Sequence, residues 1–133
     1  MEPARMTKAG AIYAFWTSFA LPAFEENSVP LKDTGGADVE TPYITYELIT
    51  DSLGAEVSLT ASLWYKTESW VTPNAKADEI SAAIGRGGKR LYCDGGAIWL
   101  KRGTPFAQRM GDDSDTAVKR IYLNLTAEFL TAN

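Results

Sequence analysis

The side chains best suited to proton transfer and covalent attack are scarce in this chain. None of its 133 residues is a histidine. That removes Ser-His-Asp and Cys-His arrangements, the commonest general acid/base at neutral pH and the commonest metal ligand. Cys93 is the single cysteine. It follows Leu91 and Tyr92 in a stretch patterned as a strand, with no histidine to activate it, and reads as a structural thiol rather than a nucleophile. One cysteine also permits neither an intrachain disulfide nor a cysteine-based zinc cluster, in keeping with a reducing cytoplasm.

Other groups hold suitable atoms without the pattern their chemistry needs. Gly85-Arg86-Gly87-Gly88-Lys89-Arg90 has the glycines and the lysine of a phosphate loop. A phosphate loop follows a strand, opens a helix and places Ser or Thr after its lysine. Here the run follows a helical pattern and Arg90 takes that place. It reads as a helix stop leading into a tight turn, with anion contact by backbone N–H groups and Arg86 as the other option. Asp112-Asp113-Ser114-Asp115 clusters carboxylates but lacks the glycine and terminal Glu of a calcium loop, so it reads as a solvated loop that starts the next element. Glu47, Glu56 and Glu128 fall on strand patterns, where a wet sheet face accounts for them. A carboxylate hydrolase would need two of them brought to a defined separation in space. The four tryptophans, Trp16, Trp64, Trp70 and Trp99, are scattered, as core and interface aromatics are. No cofactor or metal site is expected.

The elements that must position these groups follow from composition and periodicity. With 45% hydrophobic and 23% charged residues, the chain can bury a core without disulfide or metal staples. It carries 17 acidic and 13 basic residues, a net charge of −4. Nucleic-acid binders usually hold a surplus of Lys and Arg, so overall charge gives no reason to expect sequence-specific DNA binding, although a local basic patch stays open. Met1 to Met6 shows no signal-peptide pattern, and no apolar run approaches the roughly 18 residues of a membrane span. The expectation is one soluble, intracellular domain over 1–133.

Lys8 to Ala20 has helical spacing, with Ile12, Phe15, Trp16 and Phe19 on one stripe, Thr7 as N-cap and Pro22 as a stop. A long loop is expected at about 22–42, punctuated by proline and glycine. Tyr43 to Thr50, a turn at Asp51-Ser52-Leu53-Gly54 and Glu56 to Lys66 make a hairpin. In its second strand Val57, Leu59, Ala61, Leu63 and Tyr65 share one face, and Trp64 interrupts the polar one. Thr72-Pro73 opens a second helix to about Ile84, with Ala77, Ile80, Ala83 and Ile84 inward. Arg90 to Asp94 and Ala97 to Arg102 form a second hairpin, a second long loop occupies about 103–117, and Val118 to Phe129 is the last strand. The fold class expected is α+β, a mostly antiparallel sheet of about five strands with two helices packed on one face.

With catalytic groups missing, the informative residues are those that favour association: aromatics, Met and Arg on loops and sheet faces. Phe24, Trp64, Trp70, Phe106, Arg109 and Met110 are the candidate protein-interface residues.

The chain resembles the tail terminator, or tail-completion and head-tail joining, proteins of long-tailed phages and prophages. The resemblance rests on Ala14-Phe15-Trp16, Pro42-Tyr43-Ile44-Thr45-Tyr46-Glu47 and Leu59-Thr60-Ala61-Ser62-Leu63-Trp64-Tyr65. It extends through Gly95-Gly96-Ala97-Ile98-Trp99-Leu100-Lys101-Arg102-Gly103 and Arg120-Ile121-Tyr122-Leu123-Asn124-Leu125-Thr126. It implies a non-enzymatic structural role. Copies of the chain, typically six, would form a ring capping the tail tube, with the tube protein and head connector as partners. Assembly would take place in the host cytoplasm, and the finished virion would hold the ring at its head-tail junction or tail end. Two other readings stand beside it: a small protein-binding or regulatory module, and a small carboxylate hydrolase.

Overall fold

The computed structural model describes residues 6–111 and 114–133. Eight elements follow one another: α1 (Lys8–Thr17), β1 (Ala23–Glu25), β2 (Tyr43–Tyr46), β3 (Ala55–Lys66), α2 (Val71–Ile84), β4 (Lys89–Cys93), β5 (Gly96–Gly111) and β6 (Val118–Thr131). The six strands form one mixed sheet in the order β1-β2-β3-β6-β5-β4. Every neighbouring pair is antiparallel except β1 with β2. The architecture is α+β, with one strand more than the five expected. The addition is β1, three residues after Pro22 that the expected loop at 22–42 did not contain. Pro22 O accepts from Ile44 N at 2.8 Å, which draws the start of that loop alongside β2.

β6 is the spine. Along one edge it pairs with β3 without a break from Lys66↔Val118 to Ala55↔Phe129. Along the other it pairs with β5 from Gly96↔Thr131 to Gly111↔Lys119. Alternation then assigns every side chain a face. Leu59, Ala61, Leu63 and Tyr65 of β3 line up with Ile121, Leu123, Leu125, Ala127 and Phe129 of β6, joined by Ile98 and Leu100 of β5, and all are buried. Both helices bury their stripes in this same core: Ala11, Ile12, Phe15 and Trp16 from α1, and Pro73, Ala77, Ile80 and Ile84 from α2.

α2 lies over the central strands, whereas α1 touches both β1 and β4, the two sheet edges. The sheet therefore curls around the helices. Phe15 meets Trp16 and Phe19 edge-on at 4.9 and 5.2 Å, and Trp16 stacks on Tyr46 at 6.3 Å. Lys76 of α2 donates to Phe19 O at 2.8 Å, tying one helix to the end of the other. Burial pushes the phenols of Tyr46 and Tyr65 above the ordinary tyrosine range, with help from Glu25 and Tyr13 at the first and from Glu79 at the second.

Several boundaries differ from the pattern reading. α1 stops at Thr17, where the Ser18 N–H and hydroxyl both turn back to Phe15 O, although Phe19 stays buried beyond the helix. α2 starts before Thr72, with Trp70 at its N-cap and Pro73 one turn in, and Ala83 is exposed rather than inward. The first hairpin strand ends at Tyr46, while the expected turn does close, Ala55 N donating to Ser52 O at 3.1 Å, and Leu53 and Gly54 within it also donate to Thr131 O and Phe129 O of β6.

The largest correction concerns the loop expected at 103–117, most of which is strand. β5 runs on to Gly111, with residues 103–106 as a bulge between Arg102↔Leu125 and Ala107↔Leu123. β4 begins at Lys89, opposite Leu100. Beyond that point β5 has β6 as its one strand neighbour, and an edge strand with a bulge tolerates Pro105, which has no N–H to give. The Asn124 amide donates to Pro105 O at 3.0 Å and stitches the bulge to β6. Ala107 follows Arg102 by five positions, an odd step, yet both face the same way opposite Leu123 and Leu125, so the alternation changes phase and the period of two is lost to view.

The turn Asp94-Gly95 joins β4 to β5 through the pair Cys93↔Gly96. Gly96 has φ +151°, and a Cβ there would sit 2.0 Å from Leu130 O of β6, whereas a Cβ at Gly87 would meet nothing within 4 Å. Gly96→Ala should destabilise the fold by on the order of 3 kcal/mol and Gly87→Ala by less than about 1 kcal/mol, read from urea unfolding. Equal effects would mean that the close approach of β5 to β6 is absent in solution.

Candidate interaction surface

Among the described residues, no helix covers the sheet face opposite α1 and α2. Register assembles its side chains into rows across the strands. One row is Tyr43, Trp64, Arg120 and Met110 from β2, β3, β6 and β5; the next is Thr45, Ser62, Tyr122 and Gln108. These rows are bound together. The Trp64 indole N–H donates to Thr45 Oγ1 at 2.8 Å, and Arg120 Nε donates to Ser62 Oγ at 2.9 Å. The Arg120 guanidinium lies 4.8 Å from the centre of the Trp64 ring and 5.3 Å from that of Tyr122, a cation shared between two aromatic faces. Phe24 of β1 extends the cluster, edge-on to Tyr43 at 5.9 Å. Beside it opens a cleft of about 420 Å³ that Glu26, Asn27, Val29, Tyr43 and Thr45 line together with Trp64 and Arg120.

The six candidate interface residues thus divide. Phe24, Trp64 and Met110 share the open face. Trp70 and Arg109 lie on the helix side, where Trp70 packs against the core with Arg109 5.2 Å and Lys119 5.6 Å from its ring. Phe106 sits in the β5 bulge, half-buried against the core. Arg120, the residue that organises the open face, was not among the candidates. Alternation back from Tyr122 puts it on that face, but nothing in the sequence says that β6 lies beside β3 and so beneath Trp64.

At the other end of the same face Glu56 and Glu128 are directly opposite across β3 and β6. Lys101 reaches both, at 3.3 and 3.9 Å, so two of the three carboxylates considered from the sequence meet around a cation on a wet sheet face. Glu47 continues from β2, its N–H donating to Thr60 O. Of the acidic cluster, Asp112 and Asp113 lie outside the described residues. The Asp115 carboxylate accepts from Ala117 N at 3.0 Å and shapes the turn into β6. Among the described residues no group of three or more His, Cys, Asp or Glu is placed to hold a metal ion.

Cys93 ends β4, half-buried, and burial pushes its thiol above the ordinary range; Asp94 adds to the rise and Lys8 opposes it. That is the direction opposite to the one an activated nucleophile needs.

Comparison with known proteins finds no family model that matches the chain, and no curated protein or solved structure that matches it.

Two outcomes follow. In a double-mutant cycle of Trp64→Leu and Arg120→Met, unfolding free energies should show a coupling of about 0.5–1 kcal/mol, as a partly exposed cation–π pair gives; additivity would mean the two side chains do not meet. Cys93 should alkylate more slowly than an unstructured thiol at neutral pH, its rate still climbing through the alkaline range where a free thiol has levelled off. A rate that levels off at lower pH than a free thiol's would contradict the burial described.

Proposed function

We propose that the chain is a non-catalytic structural subunit of a phage particle, a tail terminator or head-tail joining protein whose copies form a ring that caps the tail tube and meets the head connector. One observation carries this reading: among the described residues no helix covers this sheet face, and yet it displays an ordered, partly exposed cluster of Trp64, Arg120, Tyr122, Tyr43 and Met110. Tyr, Trp, Arg and Met are the residue types enriched in protein interfaces. Their mutual contacts hold the rotamers before any partner arrives, which lowers the ordering cost of association.

The resemblance of Pro42-Tyr43-Ile44-Thr45-Tyr46-Glu47 and of the β3 and β6 segments to tail-completion proteins supplies the partners. They are further copies of the chain, the tube protein at a tail end, and the connector. The sharing of Thr45, Trp64, Arg120 and Tyr122 between the resembling segments and the cluster joins the two lines of support. The absence of histidine and the upward shift of the Cys93 thiol favour a structural role over hydrolysis.

The test is end-binding. Mixed with tail tubes of the same phage or prophage, the protein should decorate tube ends as a ring in negative-stain images, with six copies as the expected number. Trp64→Ala should reduce end occupancy at least about tenfold, the effect of losing a central interface aromatic, and should lower unfolding free energy far less than a core truncation does. A chain that stays monomeric and ignores tube ends, or a Trp64→Ala variant that binds as wild type does, would refute the reading.

A further inference from the structure

Positive charge is unevenly spread along this acidic chain. Residues 85–102 hold Arg86, Lys89, Arg90, Lys101 and Arg102 against the single carboxylate of Asp94, a local charge of +4 in a chain of net −4. The fold gathers three of these cations around one notch. β4 begins only at Lys89 while β5 continues past Leu100 into its bulge, and a cleft of about 700 Å³ opens at this sheet edge. Arg86, Lys101 and Arg102 line it together with Trp99, Thr104 and Phe106.

The notch is built rather than incidental. Gly88 has φ +87°, and a Cβ there would fall 2.4 Å from Trp99 Nε1 and 2.6 Å from Leu100 O, so the turn presses on β5 as only glycine allows. The Trp99 indole N–H donates to Gly87 O at 2.9 Å and fixes the turn, which places Arg86 across from β5. Arg102 is braced by a 2.8 Å bond from its guanidinium to Ser81 Oγ of α2. Lys101 lies 4.1 Å from the centre of the Trp99 ring, and its charge is taken up by Glu56 and Glu128, which leaves the guanidinium groups of Arg86 and Arg102 to face a ligand. Among the described residues, no ion pair joins Arg86 or Arg102 to a carboxylate.

We infer that this notch is a sequence-independent site for the phosphodiester backbone of a nucleic-acid strand. Guanidinium groups present donor forks that match phosphate oxygens. Two guanidinium groups in a trough beside the aromatic side chains of Trp99 and Phe106 suit a ligand that alternates charges with planar bases. An acidic peptide would satisfy the charges but not the aromatic walls. Lys101 and Arg102 are level with Ser58 and Leu59, about 17–20 Å along β3 from Trp64 at strand rise, and the notch stands independently of the assembly reading.

Fluorescence anisotropy with a fluorescein-labelled single-stranded oligothymidylate tests this at low salt, where sequence-independent binding on the order of 10⁻⁵ M is expected. Arg86→Glu, on the exposed turn, and Arg102→Gln should each weaken binding about tenfold and flatten the dependence of log K on log salt by about one unit per cation removed. Lys66→Glu, the same charge reversal at the other end of β3, should leave binding unchanged. Arg86→Glu spares the Arg102–Ser81 bond, so its effect is separable from any loss of folding, which circular dichroism reads on the same samples. The site is overturned if the wild-type protein ignores the oligonucleotide, if Lys66→Glu loses as much as Arg86→Glu, if tripolyphosphate binds where the oligonucleotide does not, or if polyglutamate displaces the oligonucleotide as readily as tripolyphosphate does.

Discussion

Everything in this molecule depends on β6 being paired along both edges for nearly its whole length. A strand held on two sides cannot slip by one residue without turning Ile121, Leu123, Leu125, Ala127 and Phe129 out of the core together. Fully burying each large apolar side chain is worth about 1.5–3 kcal/mol, so the penalty for the wrong register is comparable with the whole stability of a typical domain. The same alternation that locks those side chains inward fixes Arg120, Tyr122, Asn124, Thr126 and Glu128 outward. The open face is as rigidly specified as the core because it is the other half of one pattern.

Both helices are committed to the concave side, and α1 reaches the two edges of the curled sheet. The opposite face gains order by other means. The Trp64 indole N–H and Arg120 Nε donate to Thr45 and Ser62, and Lys101 bridges Glu56 and Glu128. A small domain that spends hydrogen bonds and cation–π contacts to immobilise aromatics at its surface presents a preformed contact patch. The chemistry differs along the sheet: aromatic and guanidinium groups on the open face near the β2–β3 pairing, and Arg86 and Arg102 at the sheet edge where β4 gives way to β5. On the proposed reading, the aromatic cluster meets a protein partner and the cationic notch a polyanion.

Much of the fold is legible in the sequence because the periodicities are clean. The stripe Ile12, Phe15, Trp16 and Phe19, the alternation from Val57 to Tyr65 and that from Ile121 to Phe129 match elements whose inward residues are buried, with Val57 half-buried at the margin. Legibility fails where a tertiary partner overrules local composition. Gly103 and Pro105 signal a loop, but pairing with β6 and the Asn124 bond carry the chain through them as strand. Ala23–Glu25 is too short to signal at all and exists because β2 offers it a parallel edge. The candidate surface was legible by residue type rather than by place. Trp64 stands out as a tryptophan on a polar face, whereas Arg120 becomes informative only once β3 and β6 are neighbours.

The most direct measurement of the central claim is hydroxyl-radical footprinting of the chain, free and seated on tail tubes. Oxidation at Trp64, Tyr43 and Met110 should fall sharply on assembly, while Tyr13, 51% exposed on the helix side, keeps its reactivity. Protection of Tyr13 with Trp64, Tyr43 and Met110 still oxidised would show that partners bind the helix layer and that the open sheet face is not the contact surface.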